Sequence, residues 1–327
     1  ELICRSNVMI QLQQTIEKVA PTNSRVLISG PSGAGKEVVA RLIHKRSNRK
    51  NGPFIVLNAA TLAPERLEIQ LFGVEEGRMS STKGGRRGLL EQAHGGTLFL
   101  DEIADMPMET QGKILRVLVD QSFQRVGGTE KVKVDARIIS SSSRDLKEEM
   151  ANGRLREDLY HRLGVVPISV PSLKERPEDI GPLARYFVER FSISSGLPLR
   201  KVGEDAIATL QASAWPGNVR QLKNVIEQIM ILATGDKTTP ISANMVPADA
   251  GSAHSIMSGQ NENTEIMALP LREARERFEK EYLEAQINRF GGNISRTASF
   301  VGMERSALHR KLKTLGVSNG ERKRLSD

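Results

Sequence analysis

Two short stretches of this chain assemble the residue types needed to hold and cleave a phosphate chain. The first is Gly30-Pro31-Ser32-Gly33-Ala34-Gly35-Lys36, which follows the apolar run Val26–Ser29 and precedes a helical pattern, Glu37–His44. Glycines at a strand-to-helix turn let successive backbone N–H groups converge on phosphate oxygens, and the helix N-terminus adds its dipole. The Lys36 ammonium has the reach to meet β- and γ-phosphates, so the stretch reads as a P-loop in its required context. Its binding candidates are Gly30, Ser32, Gly33, Ala34, Gly35 and Lys36. A Ser or Thr usually follows the lysine and ligates Mg2+; here that position is Glu37. The second stretch is Thr97-Leu98-Phe99-Leu100-Asp101-Glu102, an apolar strand that ends in two carboxylates. Asp101 suits Mg2+ coordination, directly or through water, and Glu102 suits a general base on an attacking water. An acidic pair of this kind can also be a solvated turn. Its place 65 residues after Lys36, on a central-strand-like run, favours the catalytic reading and implies binding of a nucleoside triphosphate with Mg2+.

The elements that must position these groups are legible as blocks. In residues 1–170, the apolar runs Val26–Ser29, Phe54–Asn58, Thr97–Leu100 and Arg137–Ser140 alternate with helix-like segments, which predicts a parallel α/β sheet. Residues 171–235 lose the strand signal and read as helical, notably over Ile180–Ser192 and Val219–Ala233. Residues 236–268 are rich in Gly, Ser, Asn and Thr and predict a flexible linker. Helical periodicity returns at Leu271 and lasts to about Leu315, within an all-α domain set at 269–327 that ends in a polar tail.

Composition narrows the partners. The chain has 327 residues, a formal charge of +8 and only 4% aromatic residues, so a polyanionic partner fits better than a base-stacking single-strand binder. From Leu271 onward 13 Lys and Arg stand against 8 Asp and Glu, which concentrates the excess positive charge at the C-terminal end. The single cysteine, Cys4, excludes an intrachain disulfide and fits a reducing cytoplasm. Apolar runs are too short to span a bilayer, and no leader precedes them, so a cytoplasmic protein without a membrane partner is expected. The chain starts at Glu1 rather than Met, from which a fragment of a longer protein is expected.

The C-terminal periodicity has the shape of a helix-turn-helix. Asn293 can cap a helix over Ile294–Val301, Gly302 makes the turn, and Glu304–Leu315 forms the next helix. Ala298, Val301 and Leu308 supply a small core. The last helix then offers Arg305, Ser306 and His309 to base edges, while Arg296, Arg310 and Lys311 suit phosphates of double-stranded DNA. The amphipathic stretch Leu271–Arg289 would dimerise and set two recognition helices about one DNA turn apart.

Further motifs carry a family resemblance. Leu71-Phe72-Gly73, His94–Ile103, Gln111–Leu118, Arg156-Glu157-Asp158-Leu159-Tyr160 with Arg162-Leu163, and Trp215-Pro216-Gly217-Asn218-Val219-Arg220-Gln221-Leu222 resemble the NtrC family of bacterial enhancer-binding proteins. The resemblance runs from Glu1 to about Gly316. It implies an AAA+ P-loop NTPase with a parallel sheet and a helical lid, followed by a Fis-type helix-turn-helix domain. It also implies a hexameric ring of self-associated protomers and RNA polymerase holoenzyme with sigma-54 as the partner. Within the two-component, nitrogen-response branch, a receiver domain answering to a sensor kinase would precede Glu1. Residue by residue, the resemblance implies that Asn58 holds Glu102 in an inactive pose, and that Arg156 and Arg162 are arginine fingers acting in the neighbouring protomer. Arg220 matches the second sensor, in cis, and Glu37 is the family's common residue after the lysine.

Two departures from that pattern set expectations. The family's sigma-54-contacting hexapeptide is replaced by Gly77-Arg78-Met79-Ser80-Ser81-Thr82, with Met79 for the aromatic, Ser80 for the threonine and Ser81 for the second glycine. At the first sensor, Ser143 stands for an asparagine, a shorter donor that predicts weaker coupling to hydrolysis. The leading reading is therefore an ATP-dependent, DNA-binding transcription regulator with an oligomeric ATPase. The alternatives are a nucleotide-gated activator or repressor at sigma-70 promoters, and a protein-remodelling AAA+ chaperone, which would not need the helix-turn-helix.

Overall fold

The four apolar runs expected as strands, Val26–Ser29, Phe54–Asn58, Thr97–Leu100 and Arg137–Ser140, all fall in one parallel sheet. The structure, a computed structural model, describes residues 2–75, 85–232, 239–247, 279, 280, 283, 287 and 293–314. The chain forms two compact units, residues 1–256 and 257–327. In chain order, the described strands of the first unit are β1 (Val26–Ser29), β2 (Phe54–Asn58), β3 (Gly73–Val74), β4 (Arg86–Arg87), β5 (Thr97–Asp101), β6 (Ser122–Gln124), β7 (Lys131–Lys133), β8 (Arg137–Ser142) and β9 (Val166–Ser169). Five of them form the main sheet in the order β2-β5-β8-β1-β9, all parallel, while β3 with β4 and β6 with β7 form two-stranded antiparallel pairs.

Side chains alternate across this sheet and bury on both faces, as a parallel sheet requires. Leu98 and Leu100 join Leu57 and Ile138 on one face, against helices Pro64–Phe72, Met108–Asp120 and Glu157–Leu163. Phe99 joins Val26, Ile28 and Ile139 on the other, beneath helices Asn7–Val19 and Lys36–Lys45. Two differences from the sequence reading have plain causes. Strand β9 carries Pro167 and lies at the sheet edge, where a missing N–H costs no ladder bond, so its apolar signal is weak. Strand β8 runs two residues past the expected end because its serines are buried with partners: Ser140 donates to Val26 O at 3.4 Å and Ser142 to Arg144 O at 3.1 Å.

The helical block packs helices Ile180–Ser195, Glu204–Ala212 and Asn218–Leu232 around Trp215, whose Nε1 donates to Leu210 O at 2.7 Å. The linker expected from residue 236 does not begin there. Residues 239–247 belong to this block: Ile241 N–H donates to Lys201 O, Gly203 N–H donates to Ile241 O, both at 2.8 Å, and Ile241 and Val246 are buried. Two apolar residues in a polar stretch carry no period, so the sequence pattern hides them. The later part of the expected linker, residues 248–268, lies outside the described residues.

Asp179 ties the block to the α/β body. Its fully buried carboxylate accepts the N–H groups of Arg5 and Ser6, at 2.5 and 2.8 Å, and the Ser6 hydroxyl at 2.8 Å, which anchors the chain entering helix Asn7–Val19. In the second unit, helices Ile294–Val301 and Arg305–Thr314 enclose Ala298, Leu308 and Leu312 together with Leu283 and Ile287. Of the expected Leu271–Arg289 helix only residues 279, 280, 283 and 287 are described, and the tail from 315 lies outside the described residues. No described helix is long and apolar enough to cross a membrane.

Removing the Asp179 carboxylate strands buried donors at the N-terminal segment. Asp179→Ala is expected to lower stability to urea by about 1–3 kcal/mol; unchanged urea melts would show that the contact contributes nothing.

Candidate functional site

The P-loop turns between β1 and helix Lys36–Lys45 through three left-handed glycines, Gly30, Gly33 and Gly35. At Gly33 (φ +75°) a Cβ would sit 2.3 Å from Gly217 O, so only glycine lets the helical block close on the loop. No side chain caps the following helix at Gly35, which leaves its first N–H groups available to an anion. Lys36 is folded inward: its side chain is 7% exposed, and Nζ donates to Gly30 O at 2.9 Å and lies 3.2 Å from Glu102 Oε1.

Parallel register brings the carboxylates to the same edge. Asn58 pairs across from Asp101, and the ends of β5 and β8 lie side by side. Asn58, expected beside Glu102, is engaged by Asp101 in this structure. Its Nδ2 donates to Asp101 Oδ2 at 2.8 Å, not to Glu102, and its Oδ1 accepts Ala60 N–H at 2.9 Å. The Ser141 hydroxyl donates to the other Asp101 oxygen. The group that holds Glu102 is Ser143, whose N–H and hydroxyl both donate to Oε2 at 2.8 Å. Adjacent strand ends explain the change, since Asn58 lies directly opposite Asp101 and Glu102 turns away with φ +55°. Burial raises the Glu102 pKa, but the two Ser143 donors and the Lys36 charge outweigh it, and the carboxyl titrates below its ordinary range.

Ser32, Lys36, Glu37, Asp101, Glu102 and Arg220 line one cleft of about 370 Å3. Glu37 points to Arg41, with which it forms an ion pair at 2.7 Å, so no carboxylate is added to the Asp101–Glu102 pair. Arg220 Nη1 donates to Ser32 Oγ at 3.4 Å. The set is hard oxygen donors facing ammonium and guanidinium groups, suited to a Mg2+ ion that keeps waters and phosphate oxygens as its other ligands. A second, largely apolar pocket of about 400 Å3 adjoins through Gly35 and Val38 and is lined by Ile3, Leu42, Leu183 and Phe187. Beside a phosphate cleft, an apolar pocket of this kind suits a planar base.

Sequence reasoning missed these residues, as it missed Lys223 at the cleft and the clamp around the loop. Asn218 Nδ2 donates to Ser32 O at 2.9 Å while its Oδ1 accepts Leu173 N–H at 2.8 Å, and the buried Arg176 donates to Ala34 O at 2.7 Å. Asn218 belongs to the Trp215–Leu222 motif. For Arg176 and the pocket's apolar residues nothing in the sequence distinguishes them from core. Arg156 and Arg162 are not brought to the cleft of their own chain. Arg156 pairs with Asp158 at 2.7 Å, and Arg162 donates to Leu118 O at 3.3 Å.

In the second unit Asn293 caps its helix as expected, its side chain accepting Arg296 N–H at 3.1 Å, and Gly302 turns with φ +72°. Arg296, Arg305, Ser306, His309 and Arg310 are exposed, whereas Lys311 is half-buried with Nζ 2.9 Å from Glu279 Oε1. The altered hexapeptide Gly77–Thr82 lies outside the described residues.

Comparison with known proteins places each part. The Sigma-54 interaction domain family matches residues 2–169, the AAA+ ATPase lid domain matches residues 174–263, and the bacterial regulatory protein, Fis family, matches residues 274–315. The chain is 62% identical to the nitrogen assimilation regulatory protein NtrX of Azorhizobium caulinodans, over 97% of this chain and 69% of that protein. It is 36% identical to the DNA-binding transcriptional regulator NtrC of Rhizobium meliloti, over 97% of this chain and 70% of that one. Among solved structures, NtrX from Brucella abortus in complex with ATP is 59% identical with a TM-score of 0.74, covering 97% of this chain and 69% of that one. The chain thus spans about two thirds of the length of these relatives.

The depressed Glu102 pKa ties the cleft to acid stability. That stability is fully present above the ordinary glutamate range, about pH 4.3, and is lost as pH falls through the lower folded value. Glu102→Gln is expected to unfold less steeply between pH 5 and about 3 in urea melts; an unchanged acid limb would contradict the assignment.

Proposed function

The chain belongs to the NtrC family of bacterial enhancer-binding regulators, with a sigma-54 interaction domain, an AAA+ lid and a Fis-family helix-turn-helix, and on that premise we propose that it is a DNA-binding transcription regulator of NtrX type driven by ATP. The observation that carries this reading is the Glu102 carboxylate, held between Lys36 and Ser143 in a cleft that adjoins a base-sized pocket. ATP would place its base against Ile3 and Phe187 and its phosphates on the glycine loop, where Lys36 exchanges Glu102 for phosphate oxygens. Asp101, steadied by Asn58 and Ser141, would hold Mg2+, which neutralises phosphate charge when bound. Once Lys36 is drawn to phosphate, Glu102 is free to accept a proton from the attacking water, with Ser143 fixing the orientation of its other oxygen. Arg220 contacts phosphate in cis.

Arg156 and Arg162 act in trans, because neither faces its own chain's cleft, and this requires an oligomeric ring, taken as a hexamer. The helix-turn-helix chooses the promoter through Arg305, Ser306 and His309 at base edges, with Arg296 and Arg310 on phosphates. Lys311, whose ammonium also lies 2.9 Å from Glu279 Oε1, is the third phosphate contact. RNA polymerase holoenzyme is the machine acted upon. One feature favours a second reading, regulation at sigma-70 promoters with the nucleotide shaping the assembly: Met79, Ser80 and Ser81 replace the contact residues of the sigma-54 loop.

Glu102→Gln is expected to bind ATP normally and lose about a hundredfold or more in turnover; wild-type hydrolysis would mean that another group is the base. On DNA, Arg305→Ala is expected to relax sequence preference by about 1–3 kcal/mol at one base pair, whereas Arg296→Ala weakens all sequences alike and flattens the salt dependence. Equal losses in filter-binding titrations would overturn that division of contacts.

A further inference from the structure

At the end of the main sheet away from the P-loop lies a second cavity, of about 570 Å3, that the nucleotide cleft does not use. Ser24 and Arg25 lead into β1, Ala136 and Arg137 lead into β8, and Val165 leads into β9, so it opens where three adjacent parallel strands begin. Its lining is strongly basic. Arg25, Arg49, Arg137 and Arg162 contribute four guanidiniums against one carboxylate, Asp135, and that carboxylate is already bonded to Arg49 at 2.7 Å.

The four are held in two ways. Arg137 is 3% exposed, and its guanidinium donates to Ala20 O, Val19 O and Ser24 O at 2.7, 3.0 and 3.1 Å. The Ala20 and Val19 carbonyls form the negative end of the dipole of helix Asn7–Val19, so they satisfy hydrogen bonds of Arg137 and offset part of its charge, and no carboxylate completes the neutralisation among the described residues. Burial and the neighbouring Arg49 pull it down to about 10, which still leaves it cationic at pH 7. Arg25 and Arg162 form the open pair. Among the described residues neither has a carboxylate partner, and Arg162 makes one long bond to Leu118 O. Burial and the Arg162 charge lower the Arg25 pKa as well. Like charges gathered in a partly dehydrated hollow repel, and a multiply charged anion relieves that repulsion at every arginine at once. On the rim, Val119 and Val165 are more than half exposed, 57% and 51%, giving the charged floor an apolar lip.

We propose that this cavity is an oligophosphate-binding site, with Arg25 and Arg162 as its open contacts and Arg49 and Arg137 as fixed positive charge behind them. The oligophosphate has two sources. One is the triphosphate held by the neighbouring protomer, which rests on the shared-site reading of Arg162 and adds Arg25 to it as a further trans-acting cation. The other is a free oligophosphate from solution, which does not depend on that reading.

The test uses the 327-residue chain with its own loop disabled by Lys36→Ala, titrated with inorganic triphosphate by calorimetry, alone and with Arg25→Gln or Arg25→Lys added. Binding by the Lys36→Ala chain that weakens roughly tenfold with Arg25→Gln and is retained with Arg25→Lys assigns the site to a free oligophosphate. No such binding, but ATP turnover that falls roughly tenfold with Arg25→Gln in the otherwise native chain and recovers with Arg25→Lys, assigns it to the neighbour's nucleotide. Thermal melts check that each variant folds; if Arg25→Gln does not, Arg162→Gln reads the same cavity in the triphosphate titration. If neither triphosphate binding nor turnover responds to these substitutions, the proposal is overturned. Turnover unaffected by Arg162→Ala, alongside Arg25-dependent triphosphate binding, would instead remove the shared-site reading and leave the cavity standing.

Discussion

Lys36 and Glu102 approach within 3.2 Å in a cleft where both side chains are largely out of water. A buried pair of this kind is held only while each charge has a partner, because stripping either one leaves the other uncompensated. Parallel strands with β1, β5 and β8 ending on the same edge are the arrangement that brings a loop lysine and a strand-end glutamate together from residues 66 apart in sequence. The same pairing makes the cleft responsive. In the proposed mechanism a phosphate chain would compete for Lys36 and leave Glu102 to Ser143, so nucleotide occupancy and the freedom of the base would be linked by one exchange of partners.

The helical block shares that dependence. Its contacts with the body fall on the phosphate loop itself: Asn218 on Ser32 O, Arg176 on Ala34 O, and the Gly217 carbonyl against Gly33. Through Asp179 the block also anchors Arg5 and Ser6, next to Ile3 at the rim of the apolar pocket. Movement of the block would therefore alter the phosphate loop and the base pocket together. This gives physical content to the use of such a domain as a nucleotide-driven machine, in which the small displacement at a γ-phosphate is carried by rigid helices.

The phosphate chemistry was legible because it is local. Gly30–Lys36 and Thr97–Glu102 each carry their context in a few residues, and the four strongest apolar runs all became sheet strands. The polar contacts between elements were not legible. Which carboxylate Asn58 would hold depends on a strand register, and whether Ser143 could substitute for an amide depends on how far Glu102 sits from the end of β8. Distance in space decided both, and Ser143 proved to hold Glu102 with two donors despite its short side chain. The end of the helical block failed for another reason: Ile241 and Val246 are single apolar residues without a period, and their burial comes from packing alone. The helix-turn-helix was read nearly to the residue, since Asn293 and Gly302 mark both helix ends chemically.

If each catalytic site is built from two protomers, Glu102 from one and Arg162 from the next, the two halves can be supplied by different chains. ATP turnover of Glu102→Gln and Arg162→Ala chains, each alone and then mixed in equal amounts, reads this out. Each variant alone lacks one half of every site, whereas a mixed ring contains junctions with an intact Glu102 facing an intact Arg162. With sites shared between protomers, turnover reappears on mixing, well above either variant alone. A mixture no more active than the average of its parts would mean that each site is complete within one chain.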